Sequence, residues 1–193
     1  GAANALAVHA CMTTNTSAAA AMLSWMLLER AKNGRPTLVG ASTGMVIGLV
    51  AITPGSGFVP IWAAIIIGAL ASPISYFFIT VVKKKFGYDD ALDVFGCHGV
   101  GGIWGGIATG LFTQTSINPS AKWNGLLFGS TELFLRQLAA VGVAAFAVAG
   151  TLAAAGAAKL ITGGLRVGRK EEDVGLDIGE HGEPAYPAFN GMD

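Results

Sequence analysis

The fold of this chain is decided by the stretch Pro36–Val82, PTLVGASTGMVIGLVAITPGSGFVPIWAAIIIGALASPISYFFITVV, which contains no Lys, Arg, Asp or Glu. A helix that crosses a bilayer needs about 20 mostly apolar residues, so this stretch is long enough for two crossings. The residues Pro54–Gly57, with the sequence PGSG, favour a turn between the two helices. The stretch therefore predicts a hairpin of membrane-spanning helices.

Charged residues are also missing from residues 1–28, 94–121 and 137–158. The mean hydropathy is +0.57, and 52% of the residues are hydrophobic. We therefore predict an all-α, polytopic membrane helix bundle that spans residues 1–163, followed by a polar tail at 164–193. The five transmembrane helices are expected near residues 5–28, 37–53, 58–82, 93–113 and 131–160.

Basic residues mark one side of the membrane. They follow the first, third and fifth predicted helices, as Arg30, Lys32 and Arg35, then Lys83, Lys84 and Lys85, then Arg166, Arg169 and Lys170. Loops rich in Lys and Arg usually face the cytoplasm. We therefore expect a multi-pass protein of the cell membrane with a cytoplasmic C-terminus.

The composition argues against several other classes of protein. The chain has 12 Lys and Arg and 12 Asp and Glu, so its net charge does not indicate a nucleic-acid partner. Cys11 and Cys97 lack the paired spacing of a metal site or a disulfide framework. His9 and His98 are the only histidines in apolar segments, and they show no pairing for haem ligation. We expect no metal, no cofactor and no enzymatic activity.

Glycines at helical spacing predict tight contacts between helices. The sets are Gly40, Gly44 and Gly48, then Gly102, Gly106 and Gly110, with Gly101 and Gly105 in a parallel row. Helices in lipid associate through close backbone approach, which small residues allow. These glycines predict packing and say nothing about a substrate.

A single histidine, His98, lies in the segment Asp93–Gly110, DVFGCHGVGGIWGGIATG. At 1.5 Å per residue it stands about 20 Å along a helix from Lys85, near the middle of the bilayer. A neutral imidazole offers one N–H donor and one acceptor, which suits a path for a polar solute. Since ionisable residues inside membranes commonly mark such paths, we favour a pathway role over simple packing.

Three carboxylates, those of Asp89, Asp90 and Asp93, precede this histidine. They can cap the N-terminus of the fourth helix, hold the three preceding lysines, or attract a cation. These roles can coexist, and the sequence leaves them open. We expect these carboxylates to lie at the cytoplasmic mouth of the bundle.

The stretch Asp90–Gly110 resembles the signature of the ammonium transporter family, the Amt, Mep and Rh proteins. Gly34–Gly57 is similar to the eighth helix of that family and its following turn. Gly164–Val167 and Gly175–Tyr186 are similar to its cytoplasmic tail. The resemblance extends over nearly the whole chain.

This resemblance implies a fold of eleven helices, ten of them in two inverted halves with the eleventh lying across, and a homotrimer with one pore in each subunit. The chain matches helices seven to eleven. By the same resemblance, His98 is the second histidine of a pore-lining pair, and Thr43, Thr53 and Val94 lie along the substrate pathway. Asp90 and Asp93 match acidic residues of the cytoplasmic vestibule.

The implied function is ammonium transport: NH4+ is recruited, loses a proton in an apolar pore, and passes the pore histidines as NH3. The first pore histidine, two gating phenylalanines and the recruitment site belong to helices one to six of the family. We therefore expect this chain to supply the C-terminal half and to need the missing N-terminal half as a partner. An ammonium-sensing or structural membrane module without net flux is the alternative.

The acidic tail is either disordered or an ordered regulatory element. The resemblance favours the second interpretation, with coupling between subunits and a PII-type signalling protein as a possible partner. The residues that carry this similarity are Gly175, Asp177, His181, Gly182, Glu183 and Tyr186.

Overall fold

A computed structural model describes residues 2–186, and these residues form helices and loops without any strand. The α-helices are α1 (Ala5–Asn33), α2 (Leu38–Ile52), α3 (Ile61–Phe77), α4 (Lys83–Phe86), α5 (Gly101–Phe112), α6 (Glu132–Thr162), α7 (Arg169–Val174) and α8 (Leu176–Gly179). Two π-helical segments, Phe78–Val82 and Phe95–Val100, join α3 to α4 and lead into α5. The prediction of an all-α bundle is confirmed.

Two helical stretches, Ile61–Phe86 and Glu132–Thr162, are long and apolar enough to cross a bilayer, and Leu38–Ile52 is apolar but shorter. No residue of α6 is buried within the described chain. Even its large apolar side chains are exposed, with Phe146 at 79% and Leu152 at 68%. Soluble proteins rarely expose so large an apolar surface to water, whereas lipid accommodates it. The chain is therefore a membrane helix bundle.

The helix ends differ from the charge-free limits of the sequence. The sequence predicts that the first helix ends near residue 28, but α1 continues to Asn33 through Glu29, Arg30 and Lys32. The third helical stretch likewise continues through the lysines to Phe86. Charges are tolerated at the ends of membrane helices because long side chains reach the interface. Charge-free stretches therefore mark the lipid-embedded part of a helix and not its ends.

Small residues let α1 pack closely against α2 and α3, as the glycine spacing predicts. A Cβ atom added to Gly48 would lie 2.5 Å from the carbonyl oxygen of Ser17 and 2.8 Å from the Cα of Ala18. The Ser17 hydroxyl donates to the carbonyl of Gly48 over 2.9 Å, and the Ser72 hydroxyl donates to that of Ala21 over 2.6 Å. Hydrogen bonds and backbone contacts thus replace the hydrophobic effect between these helices.

A proline inside α3 creates a further link to α1. Pro73 has no N–H, so the carbonyl of Ala69 loses its partner within the helix. The hydroxyl of Ser24 donates to this carbonyl over 2.8 Å. A neighbouring helix thereby satisfies the group that proline leaves unpaired.

A buried carboxylate near the end of α1 contacts the N-terminus of α2. Glu29 is 8% exposed and accepts hydrogen bonds from the backbone N–H of Thr37 at 2.7 Å and from the Thr37 hydroxyl at 3.2 Å. A Cβ atom at Gly40 would collide with the Glu29 side chain. The glycine therefore makes room for an acid at the N-terminus of α2, where negative charge is favourable.

The described chain separates into two compact units, with Ala144 closing the first and Ala145 opening the second. The first contains α1 to α5 and the beginning of α6, and its core includes Ile47, Ile52 and Ile67. The second contains the remainder of α6 together with α7 and α8.

Candidate functional site

A cavity of about 440 Å³ lies between α2 and the segment that leads into α5. Its lining is Leu38, Val39, Ser42, Thr43, Val46, Leu92, Asp93, Cys97 and His98. The wall is mostly apolar, with two hydroxyls, one carboxylate, one thiol and one imidazole. Such a mixture, with few polar groups in an apolar wall, is typical of binding cavities for small molecules.

His98 belongs to the π-helical segment Phe95–Val100. A π-helical turn contains an additional residue relative to an α-helix and often occurs at functional sites. The side chain of His98 is exposed on the cavity wall, and no hydrogen-bond partner for its ring occurs among residues 2–186. The imidazole is therefore available to a solute.

Asp90 caps the beginning of this π-helical segment. Its carboxylate accepts the backbone N–H of Val94 over 2.8 Å and that of Phe95 over 2.9 Å. The Phe95 N–H, together with that of Val94 and the charge of Lys83, lowers the pKa of Asp90 below its usual value of 3.8. The capping interpretation of this carboxylate therefore agrees with the geometry.

Asp93 pairs with one of the three lysines. Its carboxylate lies 2.7 Å from the Nζ atom of Lys83, and this side chain also donates to the backbone carbonyl of Asp90. Asp93 is the only residue other than glycine among residues 2–186 with a positive φ, +54°. The ion pair and the strained backbone therefore coincide at the rim of the cavity.

The predicted pathway residues fall into two groups. The cavity brings Thr43 together with Asp93 and His98. Thr53 is the C-cap of α2, at the opposite end of the helix, and its hydroxyl donates to the carbonyl of Leu49. Val94 is 50% exposed and is not part of the lining. The sequence did not single out Ser42 and Cys97, which the structure adds to this wall.

The predicted tail residues form a local turn after α7. The carboxylate of Asp177 accepts the N–H of Ala185 over 2.9 Å, and the N–H of Glu183 donates to the carbonyl of Asp177 over 3.0 Å. The Ala185 N–H and then the Ile178 N–H lower the pKa of Asp177.

The other tail positions complete this turn. Gly175 and Gly182 have positive φ values of +104° and +70°, and the N–H of His181 donates to the carbonyl of Leu176. Tyr186 is 82% exposed. Hydrogen bonds of Leu176 and Asp177 thus connect this helical turn to residues 181–185.

Within residues 2–186 no group of three or more His, Cys, Asp or Glu side chains is placed to hold a metal ion. What the cavity offers instead is an imidazole and hydroxyls, which can exchange hydrogen bonds with a small polar solute.

The apolar helices and the backbone contacts between them define a polytopic membrane bundle, with a cavity beside His98 that carries a few polar groups. A family model described as the Ammonium Transporter Family matches residues 1–186. This chain belongs to the ammonium transporter family. It is a family of transporters and not of enzymes, as the sequence predicts.

Two curated relatives illustrate the extent of the match. The chain is 46% identical over 182 residues to the ammonium transporter of Bacillus subtilis, and this match covers 94% of this chain and 45% of the relative. It is 43% identical over 187 residues to the ammonium transporter Amt1 of Archaeoglobus fulgidus, and this match covers 96% of this chain and 46% of that relative. The chain thus spans less than half the length of these relatives.

Solved structures show the same relation. The crystal structure of Candida albicans Mep2 matches with a TM-score of 0.79 at 30% identity, over 93% of this chain and 41% of that chain. Saccharomyces cerevisiae Mep2 matches with a TM-score of 0.69 at 35% identity, over 74% of this chain and 32% of that chain. The fold described here corresponds to part of those structures.

Proposed function

We propose that this chain forms one side of a pathway through which ammonium crosses the membrane. The observation that carries the proposal is the cavity beside α2, which brings Thr43, Asp93 and His98 to one wall in a member of the ammonium transporter family. His98 acts as the central pathway residue, and Asp90 and Asp93 belong to the vestibule on the cytoplasmic side.

The physical chemistry of the wall favours the neutral species. Moving an unpaired cation into an apolar environment is costly, whereas a neutral amine needs only a donor and an acceptor. The exposed imidazole of His98 can supply one or the other, depending on its tautomer. NH4+ can give up a proton, which is conducted separately and rejoins the ammonia on the cytoplasmic side, and pass as NH3, whereas K+ cannot lose its charge and is excluded.

The remaining parts of the pathway lie outside this sequence. Because the chain spans about 45% of the length of its curated relatives, we propose that further polypeptide supplies the other wall of the pore, either on the same chain or on a separate one. A homotrimer with one pore in each subunit is the proposed assembly.

The basic loops support a cytoplasmic position for the tail. The local turn around Asp177 supports an ordered regulatory element in residues 164–186. A PII-type signalling protein is the proposed partner of this tail. Loss of regulation after removal of residues 177–193, with uptake retained, is the expected outcome.

The substitution His98→Ala tests the pathway in the complete transporter. We expect the ratio of ammonium flux to potassium flux to fall by at least about tenfold, because the wall loses the imidazole that donates to or accepts from the neutral solute. The matched control is His9→Ala, which removes the other histidine of the apolar segments, one that is bonded to the carbonyl of Val59. An unchanged ratio in the His98 variant would contradict the proposal. Ammonium binding without flux in the unmodified protein would favour the sensing module.

A further inference from the structure

Lys83 differs from the two lysines that follow it. Its side chain is 28% exposed and bonds to two groups of the loop before His98, the carboxylate of Asp93 and the carbonyl of Asp90. No hydrogen bond or ion pair of Lys84 or Lys85 occurs among the described residues, apart from the approach of the Lys85 ammonium group to the ring of Phe86. Of the three consecutive lysines, only Lys83 therefore bonds to other groups of the described chain through its ammonium group.

The position of Lys83 connects the two π-helical segments. Lys83 directly follows the segment Phe78–Val82, and Asp93 lies two residues before the segment Phe95–Val100. A Cβ atom at Gly96 would collide with Ile79, and the rings of Phe78 and Phe95 meet edge to face at 6.2 Å. The ion pair between Lys83 and Asp93 thus adds a polar contact to the apolar contacts that already join the two π-helical segments.

The backbone of Asp93 connects the ion pair to the helical turn that carries His98. Its carbonyl accepts the N–H of Cys97 over 2.9 Å, and this bond forms the first turn before His98. The left-handed backbone of Asp93 is unfavourable for most residues and persists only where the surroundings hold it. Lys83 is the group that holds this side chain.

We propose that Lys83 is a positioning residue for the pathway: its ion pair with Asp93 fixes the turn that sets the place of His98 on the cavity wall. This inference rests on the proposed function, since it concerns how the pathway histidine is oriented. The ion pair also neutralises a carboxylate that lines the same cavity.

The test compares Lys83→Met with Lys84→Met, which removes the same charge from the same cluster without breaking a bond. In cells that express the complete transporter, we expect Lys83→Met to lower the maximal rate of ammonium uptake by about tenfold, because small displacements of a functional group have effects of this size. The KM should change far less. Lys83→Arg restores the ion pair and should recover most of the rate.

A double substitution shows whether Lys83 acts through Asp93. In an Asp93→Asn background the ion pair is already lost, so Lys83→Met should lower the uptake rate much less than it does in the unmodified transporter, since only its bond to the Asp90 carbonyl is then removed. Fully additive losses would overturn the inference, because they would place the effect of Lys83 elsewhere.

A second readout does not depend on transport. Cys97 is 6% exposed and lies directly before His98, so its rate of modification by methyl methanethiosulfonate reports the order of this turn. In a Cys11→Ser background we expect faster modification in Lys83→Met than in Lys84→Met. Equal modification rates together with equal uptake rates in these two variants would overturn the inference. Absence of ammonium uptake in the unmodified transporter would instead contradict the proposed function, while the modification rates would still test the ion pair.

Discussion

One face of α2 carries Gly40, Gly44 and Gly48 and packs against α1, whereas another carries Val39 and Thr43 and lines the cavity. The packed face leaves no room for a Cβ atom, and regular α-helices meet there. The cavity face stands opposite a π-helical segment and a loop with a strained residue. In this chain, close contacts between regular helices at small residues stabilise the bundle, whereas the candidate site is formed by a π-helical segment and a loop with a left-handed residue.

The largest expected effect comes from filling the packed face. Gly48→Leu should destabilise the bundle by about 3 kcal/mol or more, because its side chain meets the backbone of α1, which cannot move aside cheaply. The matched control is Gly102→Leu, since no atom of residues 2–186 lies within 4 Å of a Cβ added at Gly102. Yield and thermal unfolding of the detergent-solubilised protein measure the difference. Equal losses in both variants would contradict the close contact.

A smaller effect is expected where a side chain completes the backbone bonding of the packed side. Ser24→Ala should cost roughly 0.6 kcal/mol, a typical value for a hydrogen bond between membrane helices. In a Pro73→Ala background the helix can satisfy the Ala69 carbonyl itself, so the same substitution should then cost almost nothing. Thermal unfolding of the four proteins measures this coupling. An equal cost in both backgrounds would show that the hydroxyl does not compensate for the proline.

The smallest effect concerns acidity on the cavity side. Because the folded chain lowers the pKa of Asp90, the stability that this cap contributes is fully present above the unfolded value of 3.8 and is lost as the pH falls through the lower folded value. The amide chemical shifts of Val94 and Phe95 should therefore change together during acidification. Asp90→Asn should abolish this transition. A transition that survives this substitution would assign it to another group.

Much of the fold was predictable because the distribution of apolar and charged residues along the chain determines where its helices lie. Gaps between charges locate the apolar helices, and the PGSG sequence at Pro54–Gly57 separates two of them. The helix ends were less predictable, since Glu29 and Lys32 extend α1 beyond its apolar part. Glu29 is also buried, because Thr37 satisfies its carboxylate, a partnership that charge spacing does not reveal.

The glycine pattern was predictable only in part. The row of Gly40, Gly44 and Gly48 packs as expected. In the fourth helical stretch, however, Gly105 lies against the backbone of α2 at Ala51, while Gly102 meets nothing within the described chain. Spacing alone identifies rows of small residues but does not say which row faces a neighbour.

The site was predictable as a set of residue types but not as an arrangement. A lone histidine in an apolar segment directs attention to His98, yet nothing in the sequence indicates a π-helical turn. Thr43 and Thr53 are both predicted pathway residues, but ten helical residues separate them by about 15 Å, and the lining of the cavity beside His98 includes Thr43 and not Thr53. The selection of Lys83 among three equal lysines depends on the conformation of the loop.

The central claim is that the wall beside α2 is the ammonium pathway, and modification of single cysteines tests it most directly. In a transporter whose Cys11 and Cys97 are replaced by alanine, Thr43→Cys places a thiol on the cavity wall, and Met45→Cys places one at an exposed position of α2 that is not part of the lining. Ammonium flux into proteoliposomes is measured before and after reaction with a bulky methanethiosulfonate. Our account predicts that modification blocks flux in the Thr43 variant and leaves most of it in the Met45 variant. Unchanged flux after complete modification of the Thr43 variant would contradict it.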